Sequence, residues 1–413
     1  MALLSLRILV LNPGSATLKF GLYQMPAAVV LARGLVDRIG TPRSELKMLV
    51  AGQEARTEAI EARGPGQAAK QIIRRLLSLP AGDARAPAPV DAVGCRVVHG
   101  GPGLVAPTLV TASVLDELRA LKKLAPLHIP ADIAVLEQVR LSLHGTPVIA
   151  VFDTAFHQTL PEVASTYALP VELCVRYGLR RYGFHGISHA YVSRELIKHL
   201  GRGVKGSKVI TCHLGNGASV CAVRDGRSID TSMGFTPMEG LVMGTRSGDV
   251  DPGLLVYLIR TVGMTVGQVD DLLNHQSGLR GLSGLSADLR DLERAALKKD
   301  RRAELALEIF AYRACKYIGA FAVALQGLDA IAFTGGMGEH SASMRGRICR
   351  RLGFLGLRLD GRRNRAASGR GARQISIEGG GVQAWVIPTD EEGEIAHSTF
   401  EQVRDLGPLA RSL

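Results

Sequence analysis

Residues 7–23, RILVLNPGSATLKFGLY, run apolar, break at a glycine turn and resume with alternating apolar positions, which predicts strand, tight turn, strand. Residues 208–223, KVITCHLGNGASVCAV, repeat the pattern about half a chain later. The two align on Leu11-x-x-Gly14-Ser15-Ala16 and Leu214-x-x-Gly217-Ala218-Ser219, with Asn12 and Asn216 offset by one position. Such self-similarity predicts a duplicated architecture with one glycine hairpin per half. Segments 91–98 and 146–152 read as buried strands, and 113–124 and 131–143 as amphipathic helices separated by Pro126 and Pro130. Residues 254–262 and 302–327 are helical by periodicity. LDAIAFTGGMGEH reads as strand, glycine turn and helix start; VQAWVIPTDEEGEIAHSTFEQV reads as strand, acidic turn and final helix. Residues 43–66 and 361–381 read as loop. Strands alternating with helices predict α/β layers.

A length of 413 residues predicts two domains at the usual ~150 residues each. No apolar run approaches ~18 residues, so no transmembrane helix and no membrane partner are expected. The start, MALLSLRILVLNPGS, has no basic segment and no small-residue cleavage site, so it reads as a strand rather than a secretory leader. Six scattered cysteines without a C-x-x-C pair read as buried thiols and point to the cytoplasm. His and Cys do not fall at zinc-ligand spacing. A net charge of +12 raises nucleic acid as a partner, but 5% aromatics and no recognised motif argue against it. Part of the excess lies in Arg358–Arg373, read as a solvated loop, and a basic balance also suits small anions.

Three glycine turns follow strands: NPGSATLK, HLGNGAS and TGGMGEH. Each can point backbone N–H groups at phosphate, or serve hairpin geometry alone. None is a Walker A loop, and the third lacks G-x-G-x-x-G spacing. Residues 235–253, FTPMEGLVMGTRSGDVDPG, set Arg246 among small residues, which suits bidentate binding of a carboxylate or phosphoryl group; the alternative is a surface loop with a solvated arginine. Asp153 ends the strand VIAVF and is placed for Mg²⁺ or base work, or for an N-cap. Glu391, in Pro388-Thr389-Asp390-Glu391-Glu392, is a second acid, or a helix start. His185, between Phe184 and Gly186, can donate to a phosphoryl oxygen, and His189 shares its face if the segment is helical; each also fits a structural histidine. Arg96, on a strand, needs an anionic partner, either an internal carboxylate or a ligand.

With these residues in place, the chain resembles the acetate kinase family nearly end to end. The resemblance rests on NPGSATLKF, CRVVHGG, APLHIP, FDTAFHQTLP, RRYGFHGISH, HLGNGAS, DTSMGFTPMEGLVMGTRSGDVDPG, SGLSADLRD, FTGGMGEH and PTDEE, in that order. It implies two duplicated ribonuclease-H-like (actin-like ATPase) domains flanking a cleft, here residues 1–157 completed by 392–413, and residues 158–391. It implies ATP + acetate ⇌ ADP + acetyl phosphate with Mg²⁺, or Mn²⁺ in its place, in a homodimer. Asn12 and Glu391 then look like metal-site residues, and Asp153 like the acid that helps place the metal or the carboxyl group. Arg96 and Arg246 resemble the arginines that hold the acyl carboxylate and the phosphoryl group, and His185 the histidine beside the phosphoryl group. His128 has a counterpart of lesser role. Lys19, His213, Leu214, Gly215, Asn216 and Gly217 match the phosphate loops, and Asp288, Leu289, Arg290, Gly336, Met337, Gly338, Glu339 and His340 the adenosine-lining segments. Val98, Leu127, Phe184 and Pro237 match an apolar pocket for the acyl methyl.

Pro13, Ala16, Cys95, Ile129, His340 and Asp390 depart from the usual pattern, which bears on nucleotide affinity, substrate breadth and rate more than on reaction class. The alternatives are a propionate or other short-chain fatty acid kinase, a non-catalytic nucleotide-binding regulator, and a sugar kinase. The last would need a hydroxyl-activating base and a polar pocket.

Overall fold

The first glycine hairpin forms as its pattern predicts. Strands β1 (Leu6–Pro13) and β2 (Leu18–Met25) pair antiparallel, with Asn12 opposite Lys19. The computed structural model describes residues 5–14, 16–78, 90–126, 128–201, 203–369 and 371–406. The chain divides into two units, Met1–Ala155 with Asp390–Leu413, and Phe156–Thr389.

In the first unit the remaining strands are β3 (Val29–Asp37), β4 (Glu45–Val50), β5 (Arg56–Ala59), β6 (Ala92–Val97), β7 (Thr108–Leu109) and β8 (Val148–Phe152). The sheet order is β5-β4-β3-β2-β1-β6-β8-β7. β1–β5 join as antiparallel neighbours, whereas β1–β6 and β6–β8 are parallel. The apolar runs of β1 and β8 are buried almost throughout, as expected of strands covered on both faces. The helix Pro65–Leu77 turns Ala68, Ala69, Ile72, Ile73 and Leu76 inward and packs on the helix Ile129–Ser142. The helix Glu391–Leu406 lies on β1 and β6. It comes close because β6 carries Gly94, where a Cβ would stand 2.2 Å from Thr399 Oγ1.

In the second unit, β9 (Lys208–Leu214), β10 (Ala218–Arg224), β11 (Arg227–Thr231), β12 (Ala330–Thr334), β13 (Arg373–Gln374) and β14 (Gln383–Val386) form a sheet in the order β11-β10-β9-β12-β14-β13. β11–β10 and β10–β9 are antiparallel; β9–β12 and β12–β14 are parallel. The run β3-β2-β1-β6-β8 has the same sense and order, so the ribonuclease-H-like arrangement occurs once in each unit. The helix Arg301–Leu325 packs on β10, and Gly186–His199 on β9 and β12.

Two stretches read as loop are not. Residues 43–66 contain β4 and β5, with Leu46 and Val50 buried. Their short period-2 pattern sits among charges because only one face packs. Residues 361–381 contain the helix Gly361–Ala366, which Asp360 caps by accepting from the N–H groups of Arg362 and Arg363, and the edge strand β13. The basic tract 358–373 is therefore partly helical, with Arg363 paired to Glu378.

All six cysteines are free thiols. No helix of the described residues is long and apolar enough to cross a membrane.

Candidate active site

In the first unit the parallel register of β6 and β8 brings Arg96 beside Asp153 at the strands' C-terminal ends. Arg96 Nε and Nη2 donate to Asp153 Oδ2 at 3.0 and 2.5 Å, and Nη1 to the Pro13 carbonyl at 2.6 Å. Burial opposes the cation, but Asp153, with smaller help from Glu391 and Asp132, outweighs it and raises Arg96 above its usual range. The anion that Arg96 requires is thus an internal carboxylate. Val98 is buried, and its N–H donates at 2.9 Å to Asp132 Oδ2, on the first turn of Ile129–Ser142. Desolvation pushes the Asp132 carboxyl up to about 7, against the opposing pull of Arg96 and the Val98 N–H.

The same unit holds Asn12, near the end of β1. Its Nδ2 donates to Glu391 Oε2 at 3.0 Å and Glu392 Oε1 at 2.8 Å, and Lys19 Nζ lies 3.9 Å from Glu392. Burial, with Glu391 adding, raises Glu392 above the usual carboxylate range, against the pull of Lys19. Two crowded carboxylates and an amide form a hard oxygen set that a divalent cation would relieve. Among the described residues no group of three or more His, Cys, Asp or Glu converges on one point. The chemistry of the donor set, two carboxylates and an amide oxygen, is of the kind that Mg²⁺ takes, since it binds through one or two carboxylates and keeps water and phosphate as further ligands. Leu127 lies outside the described residues.

In the second unit, Arg246 is mostly buried, and its Nη1 donates to the Pro237 carbonyl at 3.0 Å. No carboxylate among the described residues pairs with it, and burial lowers its pKa. Its loop is tied down along its length. Ser247 N–H bonds the Leu273 carbonyl, Arg280 N–H the Gly244 carbonyl, and Gly244 N–H the Asn216 carbonyl of the HLGNG turn. Glu239 receives Tyr167 O–H and the Arg181 guanidinium. Asp249 accepts from Gly240 N–H and Tyr317 O–H, both at 2.8 Å. This is no solvated surface loop. Gly217 faces the same point: a Cβ there would stand 3.3 Å from His185 Nε2 and 3.8 Å from Arg246 Nη1. A side chain at 217 would fill the space between those two groups.

His185 stands at the N-cap of the helix Gly186–His199 in the left-handed region, φ 57°, without a side-chain capping bond, and its carbonyl accepts from His189 N–H at 2.9 Å. The two are joined through Ser219, 2.9 Å from His185 Nδ1 and 2.7 Å from His189 Nε2. His213 stacks on His185 with ring centroids 4.4 Å apart, and its Nδ1 lies 2.8 Å from Ser188 Oγ. Phe184 is buried, with its carbonyl accepting from His157 at 3.1 Å. Burial pushes His157 down to about 4.

Beside these groups lies a cavity of about 660 Å³, within the range of small-molecule sites. Gly215, Asn216, Asp288, Leu289, Arg290, Gly336, Met337 and His340 line it, together with Ala287, Glu293 and Ser341. Leu214, Gly338 and Glu339 do not line it. Glu339 turns back on its own helix start, accepting from Gly335 N–H at 2.9 Å and Thr389 N–H at 3.2 Å. Arg290 is held by Asp288. Sequence reasoning missed Asp132, Glu239, Ala287, Glu293 and Ser341. For Ala287 and Ser341 the signal was their adjacency to Asp288 and His340; for Glu293, its place four residues after Leu289 on one helical face.

The family model of the acetokinase family matches residues 7–397. The acetate kinase of Heliobacterium modesticaldum is 46% identical over 397 residues, covering 96% of this chain and 99% of that protein. That of Deinococcus radiodurans is 50% identical over 391 residues, covering 95% and 96%. Among solved structures, Porphyromonas gingivalis acetate kinase superposes with a TM-score of 0.87 at 39% identity, covering 96% of this chain and all of that one. A propionate kinase from Francisella tularensis superposes at 0.88 with 37% identity, covering 96% and 99%. With an end-to-end match of model, sequence and fold, this chain belongs to the acetokinase family.

Proposed function

We propose that this chain catalyses reversible transfer of the γ-phosphoryl group of ATP to the carboxylate of acetate, giving acetyl phosphate and ADP. The observation that carries the reading is Arg246, a largely but not fully buried guanidinium with no carboxylate partner among the described residues, beside the glycine turn and His185. A largely desolvated cation without a counter-ion carries a cost that an anionic ligand would offset. The names of relatives at 46% and 50% identity support acetate as acceptor.

The acceptor carboxylate is already ionised at neutral pH, so no general base is required. Catalysis then rests on alignment and charge neutralisation. Arg246 and His185 stabilise the transferring phosphoryl group, and Arg96, oriented by Asp153, the acyl carboxylate. Val98, Phe184 and Pro237 supply apolar surface for the methyl group. The nucleotide occupies the cavity bounded by Asn216, Leu289, Gly336 and His340. Asn12, Glu391 and Glu392 would hold Mg²⁺, or Mn²⁺ in its place. Bound there, the metal supplies charge neutralisation for the phosphate oxygens.

Supporting a homodimer, the helix Pro252–Arg260 buries none of its residues and leaves Leu254, Val256, Tyr257 and Ile259 exposed, a face that a second copy would cover. Free thiols throughout fit a cytoplasmic protein.

Propionate is the second reading, favoured by the likeness to a propionate kinase structure. One methylene in an apolar pocket is worth only ~1–3 kcal/mol, so both acids are expected to react. Trapping acyl phosphate as its hydroxamate with acetate, propionate and butyrate tests both. The highest kcat/KM should fall on acetate. A higher value for propionate moves the assignment, and no product with any acid sinks it.

A further inference from the structure

Behind His185 stands a chain of buried polar groups that the transfer reaction itself does not use. Thr211 on β9 and Ser219 on β10 lie on the face of the sheet covered by the helix Gly186–His199. Thr211, Ser219 and His189 are wholly buried. Thr211 Oγ1 lies 2.7 Å from His189 Nδ1, Ser219 Oγ 2.7 Å from His189 Nε2, and Ser219 Oγ 2.9 Å from His185 Nδ1.

Hydrogens can be assigned along this chain by counting. A hydroxyl donates one hydrogen, and a neutral imidazole carries one N–H. Ser219 touches two ring nitrogens; accepting from both would strand its own buried hydrogen, so it accepts from one and donates to the other. In the first arrangement Thr211 O–H donates to His189 Nδ1, His189 Nε2–H to Ser219, and Ser219 O–H to His185 Nδ1. The proton of His185 then sits on Nε2. In the second, every link reverses: His185 Nδ1–H donates to Ser219, Ser219 to His189 Nε2, and His189 Nδ1–H to Thr211. That leaves the Thr211 hydrogen without an acceptor, because His189 is its sole side-chain hydrogen-bond partner among the described residues. Stranding a buried hydroxyl hydrogen is unfavourable, so the first arrangement holds. An imidazolium at His185 would either force the same reversal or leave the Ser219 hydrogen stranded.

The surroundings agree. Burial, with His157 and His213 adding, keeps His189 well below its ordinary pKa and therefore neutral. Among the charged or titratable groups facing His185 are His213, stacked at 4.4 Å, and Arg246, whose Nη1 shares the space beside Gly217 with His185 Nε2. A second cation there would be repelled by Arg246.

We propose that Thr211, His189 and Ser219 are positioning residues that fix His185 as its neutral Nε2–H tautomer, aimed at the transferring phosphoryl group. The inference rests on the reading of His185 given under the proposed function, but its test is separable. Two-bond ¹⁵N–¹H spectra of the ¹⁵N-histidine-labelled protein at pH 7.5 should show His185 with a protonated Nε2 and a bare Nδ1. Thr211→Val keeps the volume and removes the hydroxyl. It should shift His185 toward the Nδ1–H form and lower kcat about fivefold, the effect of one lost hydrogen bond, with KM for Mg-ATP unchanged. Thr211→Ser should restore both. A wild-type His185 found as Nδ1–H or imidazolium, or a His185 spectrum unmoved in Thr211→Val, overturns the relay. The stated tautomer together with full activity in His185→Ala would instead uphold the relay and overturn the role given to His185.

Discussion

Arg96 grips one oxygen of Asp153 through two nitrogens, Nε at 3.0 Å and Nη2 at 2.5 Å, with side chains 16% and 4% exposed. Removing one partner of such a pair leaves a buried charge uncompensated. Asp153→Ala should therefore destabilise the fold by ~3–5 kcal/mol, read as a lowered urea midpoint, besides losing activity. A midpoint unchanged from wild type would mean that the pair is not the buried ion pair described.

Arg246 is the contrasting case. Its guanidinium hydrogen-bonds the Pro237 carbonyl and pairs with no carboxylate among the described residues, so its charge costs the unliganded fold rather than holding it together. Arg246→Ala should lower kcat by ~10²–10³, as for a preorganised donor, while the thermal midpoint does not fall below wild type. Near-normal kcat in a folded variant would remove Arg246 from the transfer step.

Asp132 gives a pH prediction. Its carboxyl is raised by burial to about 7, above the ~3.9 of an unfolded aspartate. Between those values the folded protein holds a proton that the unfolded chain releases, so this group's contribution to stability is lost as pH rises from about 4 to about 7. Asp132→Asn keeps an acceptor for the Val98 N–H and removes the titration. Stability of the variant relative to wild type should rise across that window and level off above it. Buried histidines, common to both proteins, cancel in the difference. A relative stability that falls with pH would contradict the burial assigned to Asp132.

Ala287 lines the nucleotide cavity. Ala287→Phe should fill part of it and raise KM for Mg-ATP roughly tenfold, an overpacking cost, with KM for acetate unchanged. Equal effects on both substrates would count against the cavity as the nucleotide site.

The hairpins β1–β2 and β9–β10 were legible because turn chemistry and strand period are local signals. The same holds for the clustering of Arg246, His185 and Gly217 only through family motifs, since nothing in the local sequence brings residues 185, 217 and 246 together. What escaped is long-range. Glu239 resembles any loop acid until Arg181 and Tyr167, some sixty and seventy residues earlier, are seen to hold it. Asp132 reads as a helix first-turn acid until the Val98 N–H is found 34 positions away in sequence. Strand β4 was missed for another reason. Leu46, Met48 and Val50 do alternate, but three positions flanked by charge are weak evidence against a loop-like composition.

The central claim is phosphoryl transfer from ATP to the acetate oxygen. Its most direct test is ³¹P NMR of the protein with Mg-ATP and acetate. Acetyl phosphate should appear in step with ADP. ADP accompanied by inorganic phosphate alone, with no acyl phosphate resonance, would contradict it.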